Sequence, residues 1–553
     1  MIACLLLDLN QYTIDSQSPL MTRMKNFFLS ALCSLSINVI SVAQTHDFYY
    51  KVKHVPLAKP IHAVDSIVGQ EVLFDKRIVS FYPDEDNKAI SLEIRDTNIK
   101  GTKFLNSGFF LVYDYQNHLI KWSRATDFLN SKFEQVPALL IESTLKKSLS
   151  RDLQTGNIKW EATTDMYYVQ KESNIAIGYP FLRPGTRKSD VLKGIDLDNG
   201  KELWQRVMPR EYGWNDVFDL NDSMVCVVAN GLQAVNIKDG SGWAYYTQTG
   251  TSEINKGSLA ATGLGIGLGL LTGYYYYGIS QDVLTGIVSN PIYADDKIYL
   301  ASREKISCVN ASNGKVIWSK PLVENMASSG TIFLEDGLVY QVNLGKANLG
   351  GVLPIKCGSP YIVVYDSENG SQGYLSMLPL EGFVSDLSVG DNYIEVVGKS
   401  QLIRVAKQTG EIVKVYPLGT GKENFWTTYI REPLFYKQGN RFKLLQEEYP
   451  EAFFLRTSEK EVLRINHDLN MIGKFNSEDF WQIVGVYKDL TVLMNKESIS
   501  VVQEDGAEVL TFERKEATPF LVEHNLFIVH KYKLQKINIQ SLTGKLMAIA
   551  GDN

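Results

Sequence analysis

Asp196-Leu197-Asp198-Asn199-Gly200-Lys201-Glu202-Leu203-Trp204 is one of three near-copies of a single phrase. The others run Asp152-Leu153-Gln154-Thr155-Gly156-Asn157-Ile158-Lys159-Trp160 and Asn310-Ala311-Ser312-Asn313-Gly314-Lys315-Val316-Ile317-Trp318. Each reads as strand, tight turn, strand. The glycine supplies a positive φ without steric cost. The Asp or Asn four residues earlier can accept hydrogen bonds from the turn amides and set its shape. The Trp falls on the returning strand, where its large flat surface can be buried against a neighbouring unit. One such hairpin cannot cover both of its own faces, so the phrase calls for repetition.

Weaker copies supply it. Asn236 to Gly240 is followed by Trp243, one residue early. Asp366 to Gly370 and Lys407 to Glu411 keep the turn and lose the Trp, and Asn538 to Lys545 has a longer turn. Degenerate candidates lie at Asp114 to Trp122, Asn466 to Lys474 and Gln503 to Val509. Gly156, Gly200 and Gly240 stand 44 and 40 residues apart, and Gly370 and Gly410 stand 40 apart. That is the period of a four-stranded propeller blade. The spacing from Gly240 to Gly314 is 74, which leaves about one blade's worth of extra chain between them.

The three clean copies resemble the repeat of the pyrroloquinoline-quinone-type (PQQ-like) β-propeller family, whose hairpins carry an acidic residue, Thr-Gly, Lys and Trp in this order. The resemblance is strong over residues 150 to 320 and extends roughly from 100 to 550. It implies an all-β ring of four-stranded antiparallel blades, eight in number. In it Trp160, Trp204 and Trp318, with Gly156, Gly200 and Gly314, dock blade on blade. The family's enzymes resemble one another in an adjacent cysteine pair over a quinone, with Ca²⁺ held by Glu, Asn and Asp. This chain has no adjacent cysteine pair, and neither base nor metal ligands map onto it. No cofactor is therefore expected, and PQQ itself has no support in the residues.

At 553 residues the chain can bury a large core. Net charge is −6 with no long basic run, which argues against nucleic acid as a partner. From Met21 a basic pair (Arg23, Lys25), an apolar stretch and Ser41-Val42-Ala43 read as a leader cleaved after Ala43. Residues 1–43 are thus leader and signal peptide, and 44–553 a single propeller domain. A lipidated Cys33 fails on Leu32, where a small residue is expected. A membrane anchor fails on Ser30, Ser34, Ser36 and Asn38. Cys226, Cys308 and Cys357 remain; the first two sit in strand-like runs and read as core. Residues 46–105 read as hairpins that begin the propeller.

An insertion spans about 250–286. Residues 257–280 carry no charge, and Gly263 to Gly273 alternates glycine with Leu264, Ile266, Leu268 and Leu270 before Tyr274, Tyr275, Tyr276 and Tyr277. One reading tucks this segment over the propeller. The other makes it a flap that touches a protein partner or a membrane, with Tyr at the interface. The whole reads as a non-catalytic exported propeller, periplasmic or extracellular, acting as a protein-interaction or cell-envelope scaffold. It resembles in this the propeller lipoprotein of the outer-membrane β-barrel assembly machine. The alternatives are a quinone-dependent dehydrogenase and a carbohydrate- or small-ligand-binding propeller.

Overall fold

Short runs of β-branched and aromatic residues, cut by Asn, Asp and Gly turns, fold here as antiparallel strands. The computed structural model describes residues 48–58, 67–136, 139–181, 189–210, 214, 216–229, 231–247, 288–349, 353–418, 427–540 and 542. Their strands form ten blades of four strands, the tenth widened by a fifth. In chain order the blades hold residues 77–127, 131–162, 164–207, 216–246, 292–321, 330–377, 386–417, 427–476 and 482–513. Blade 10 joins residues 518–538 to two strands from the other end of the chain, Ile67–Phe74 and Tyr50–Ala58. Apolar clusters pack each blade on the next, and one joins blade 10 to blade 1, so the blades close a ring.

Ten blades correct the expectation of eight. The faint copies late in the chain lack Trp but keep the strand burial pattern that makes a blade. Middle strands are covered on both faces by neighbouring blades, so Met224–Ala229 and Tyr361–Asp366 are buried almost throughout. Outer strands bury one residue in several, as Glu202–Val207 buries only Trp204. Nine of the ten marked turns join the third and fourth strands of a blade. The tenth mark, at Asn538, ends the strand Lys533–Asn538, whose outer neighbour is Ile67–Phe74. That strand, expected to begin the propeller, completes its last blade instead. A ring must be shut by non-covalent pairing somewhere, and strand exchange between the chain's two ends leaves no unpaired middle strand.

The seams explain the phrase. Trp204 lies over the blade 4 turn, with its indole Nε1–H donating to Ile237 O at 2.8 Å. A Cβ placed on Gly240 would stand 2.5 Å from the Trp204 ring, and Gly240 has φ +73°. Both the backbone conformation and the close approach therefore require glycine there. Trp122, Trp160, Trp243 and Trp318 repeat the arrangement on Gly156, Gly200, Gly314 and Gly370. Their indoles donate to Leu153, Leu197, Ala311 and Ser367 at 2.7 to 3.0 Å. Trp243, early by one residue in sequence, reaches the same place because its returning strand lacks the one-residue bulge that follows the turn in the other copies. Blades 4 and 5 thus dock directly, although residues 248–287 between them lie outside the described residues.

Each buried indole removes a large apolar area from water and satisfies a turn carbonyl. Trp204→Ala and Trp243→Ala should each lower unfolding free energy by about 3–5 kcal/mol, measured by chemical denaturation. A Trp243 variant as stable as the parent would show that the early residue does not carry its seam.

Candidate binding site at the blade 8–9 seam

The Trp rule relaxes in steps around the ring. At the blade 6–7 seam Tyr374 stands in for Trp, lying over Gly410 and donating its hydroxyl to Lys407 O at 2.8 Å. At the next seam Lys414 holds the position, and Lys414 and Arg404 donate to the turn carbonyls of Asp468 and His467. In blade 8 the position falls to Gly473, which pairs with Arg464 as Trp204 pairs with Gly194. Glycine has no side chain to send into blade 9.

An inserted hairpin does that work. Between the first two strands of blade 8 the chain makes Phe435–Gln438 and Arg441–Leu444, joined by the two-residue loop Gly439–Asn440, with Gly439 at φ +62°. One helical turn, Leu445–Glu448, returns it to the blade. The hairpin lies along blade 9 as a wedge. Phe435 and Trp481 exchange backbone hydrogen bonds at 3.1 and 2.7 Å, and Phe442 N donates to Gly506 O at 2.8 Å. Gly506 is the turn glycine of blade 9, and a Cβ on it would strike the Phe442 backbone. Backbone from the wedge therefore takes the place an indole takes elsewhere. Phe442 meets Trp481 edge-on, with ring centroids 4.9 Å apart, above Leu493 and Val502. Lys437 pairs with the buried Glu508 at 2.6 Å. On the other side Leu434 and Leu445 pack with Phe454, Val462 and Phe480.

A wedge fits less closely than a flat ring, and it leaves space. A cavity of about 650 Å³ opens among Tyr436, Gln438, Tyr449, Phe475, Asp479 and Glu497. A second of about 230 Å³ adjoins it, lined by Arg456, Gln482, Met494 and Arg514. Both share Glu478, Phe480, Asn495 and Lys496. Glu478 accepts from Lys460 at 2.8 Å and Lys496 at 3.2 Å, and these two ammoniums hold its carboxyl below the usual range. Arg464 stacks over Tyr449 at 4.0 Å. The Tyr436 hydroxyl is shut from solvent without a hydrogen-bond partner. Aromatic walls, amides and charged side chains suit recognition of a polar group on a partner. Among the described residues, no three His, Cys, Asp or Glu side chains converge as a metal site.

Trp160, Trp204 and Trp318, with Gly156, Gly200 and Gly314, lie at seams spread over blades 1 to 6, away from this cavity. Leu264, Ile266, Leu268, Leu270 and Tyr274 to Tyr277 lie outside the described residues. Cys226 and Cys308 are buried, and burial pushes their thiols up to about 12 and about 11. The wedge escaped the sequence reading. Its signal was the loss of the phrase's own Trp in every copy after Trp318, together with Gly439-Asn440 between two aromatic-bearing runs.

A family model described as outer membrane protein assembly factor BamB matches residues 186–416. Among solved structures, BamB from Moraxella catarrhalis is 11% identical, with 69% of this chain and 93% of that chain covered at a TM-score of 0.30. The computationally designed Ika8 protein is 10% identical, with 67% and 94% covered at 0.28. KlHsv2 with its loop 6CD replaced by a Gly-Ser linker is 11% identical, with 73% and 100% covered at 0.26. No curated protein matches the sequence. With its repeated phrase and its four-stranded blades the chain is a β-propeller, and over residues 186–416 it is similar to the PQQ-like repeat family.

Proposed function

We propose that the protein is a non-catalytic, exported propeller that serves as a protein-interaction scaffold in the cell envelope, with a partner docking at the wedge. The observation that carries this is the blade 8–9 seam. It is where an insertion replaces side-chain docking and leaves a cavity walled by aromatic, amide and charged side chains. A ring of repeated blades gives such a site a rigid frame, and variation outside the blade cores leaves that frame intact. The family match adds support, since its described member is an assembly factor of the outer membrane. Residues 257–280 supply a second contact, to a partner or a membrane, because an uncharged Leu/Gly/Tyr surface is adhesive.

Two experiments separate these contacts. Gln438→Trp with Glu497→Trp fills the larger cavity from exposed positions whose side chains hold no described partner. Crosslinked capture from envelope extract should fall about tenfold, the equivalent of 1.4 kcal/mol, while thermal unfolding stays unchanged. Undiminished capture would remove the wedge from the binding surface.

Replacement of residues 257–280 by a short Gly/Ser linker should leave the unfolding midpoint in place, because Trp243 on Gly314 holds blades 4 and 5 together across that segment. Binding to liposomes or to the captured partner should drop. Loss of the fold would make the segment part of the core, and unchanged binding would make it idle.

A further inference from the structure

At the closing seam, blade 10 on blade 1, titratable groups stand at the turn where an indole docks elsewhere, beside the apolar cluster of Val72, Phe74, Phe527 and Leu534 with blade 1. Among the described residues, four strand pairs join the two ends of the chain, Gln70–Lys536, Glu71–Gln535, Val72–Leu534 and Leu73–Lys533, and Phe74 N donates to Tyr532 O beyond them. Gln70 stands where Trp stands in blades 1 to 5, since it pairs with the residue two before the end of its neighbouring strand. His118 stands where the turn glycine stands, in the left-handed region at φ +61°, with its N–H donating to Asp114 O. The two meet at 2.6 Å between Gln70 Nε2 and His118 Nε2. The carbonyl that would accept an indole, Tyr115 O, accepts the Lys536 ammonium at 2.8 Å.

We propose that this seam is an acid-sensitive clasp: protonation of His118 releases the Tyr50–Ala58 and Ile67–Phe74 strands while the indole-docked seams hold. The neutral imidazole has one nitrogen paired and the other, Nδ1, buried without a partner. Gln70 Nε2 can only donate, so His118 Nε2 accepts and the neutral ring already carries its proton on Nδ1; a second proton falls on Nε2, sets donor against donor and breaks the Gln70 bond in a buried place. The charges facing the ring are mostly of its own sign. Lys536 comes from the C-terminal strand and His54 from the outermost strand, and Asp114 in its own turn opposes them. Asp114 is already committed to Gln116 N, to the Asn117 backbone and side chain, and to Lys121. Burial first, then Lys536 and His54, hold His118 below its ordinary value.

His530, on the same sheet, works in the same direction. It bonds Gln535 at 2.8 Å, and Gln535 in turn donates to Glu71 at 2.9 Å. Glu71 also receives Lys53 and Lys533, each at 3.2 Å. His530 faces Lys533, Lys515 and Glu71, and burial foremost lowers its value. A histidine held below its unfolded value lends the fold stability that is complete above about pH 6.5 and is lost as pH falls through 6.5 towards the folded value. No histidine lies in blades 2 to 6.

Hydrogen exchange of the full chain at pH 7.5 and 5.5 tests the clasp. After correction for intrinsic rates, protection of Ile67–Phe74 and Lys533–Asn538 should fall at least about tenfold more than that of Met224–Ala229 in blade 4, a factor worth one pKa unit. His118→Asn tolerates the left-handed turn and cannot titrate, so it should keep protection at pH 5.5. Equal losses in both regions, or full loss in His118→Asn, would overturn the proposal. Should that variant not fold, histidine C2-hydrogen exchange in the unaltered protein reads His118 directly; a value at or above 6.5 would overturn it equally.

Discussion

An indole laid on the next blade's turn glycine is the contact on which the ring depends. The glycine allows the approach, the Trp covers it, and the indole N–H takes a carbonyl that the turn leaves unpaired. The three parts are inseparable. A side chain at Gly240 would collide with Trp204, and a smaller residue at Trp204 would leave the Ile237 carbonyl and a blade face uncovered. Repeated from blade 1 to blade 6, this contact makes an arc whose rigidity needs no further device.

The interest lies where the contact is absent. Beyond blade 6 it passes through Tyr374 and Lys414 to Gly473, and the wedge takes over with its backbone against Gly506. A hairpin cannot pack as closely as a planar ring, so the substitution opens the cavity beside Tyr436 and Phe480. At the closure the turn contact becomes Gln70 on His118, a hydrogen bond to a titratable ring, beside the apolar cluster that packs blade 10 on blade 1. Seams of related geometry thus differ in chemistry: indole on glycine from blade 1 to blade 6, hairpin backbone on Gly506 at the wedge, and amide on imidazole at the closure.

Much of this was legible in the sequence, and for local reasons. The Asp/Asn, Gly and Trp of the phrase lie within nine residues, and turn geometry follows from neighbours in the chain. The faint marks at Asn466 and Gln503 were turns as well, although the family's blade number argued against counting them. The wedge was not legible, because its partners, Trp481 and Gly506, stand roughly 40 and 65 residues downstream and neither carries a signature of its own.

From residue order alone come the strands, the turns, the period and hence the blade, since each rests on backbone preferences and on contacts between near neighbours. Blade number and closure belong to the tertiary structure. Strand Ile67–Phe74 reads as the start of a hairpin, and nothing within it tells that its inner neighbour is Lys533–Asn538. That pairing exists because a ring of ten blades returns the end of the chain to its beginning. The chemistry of His118, Lys536 and Gln70 therefore arises only once the ring is closed.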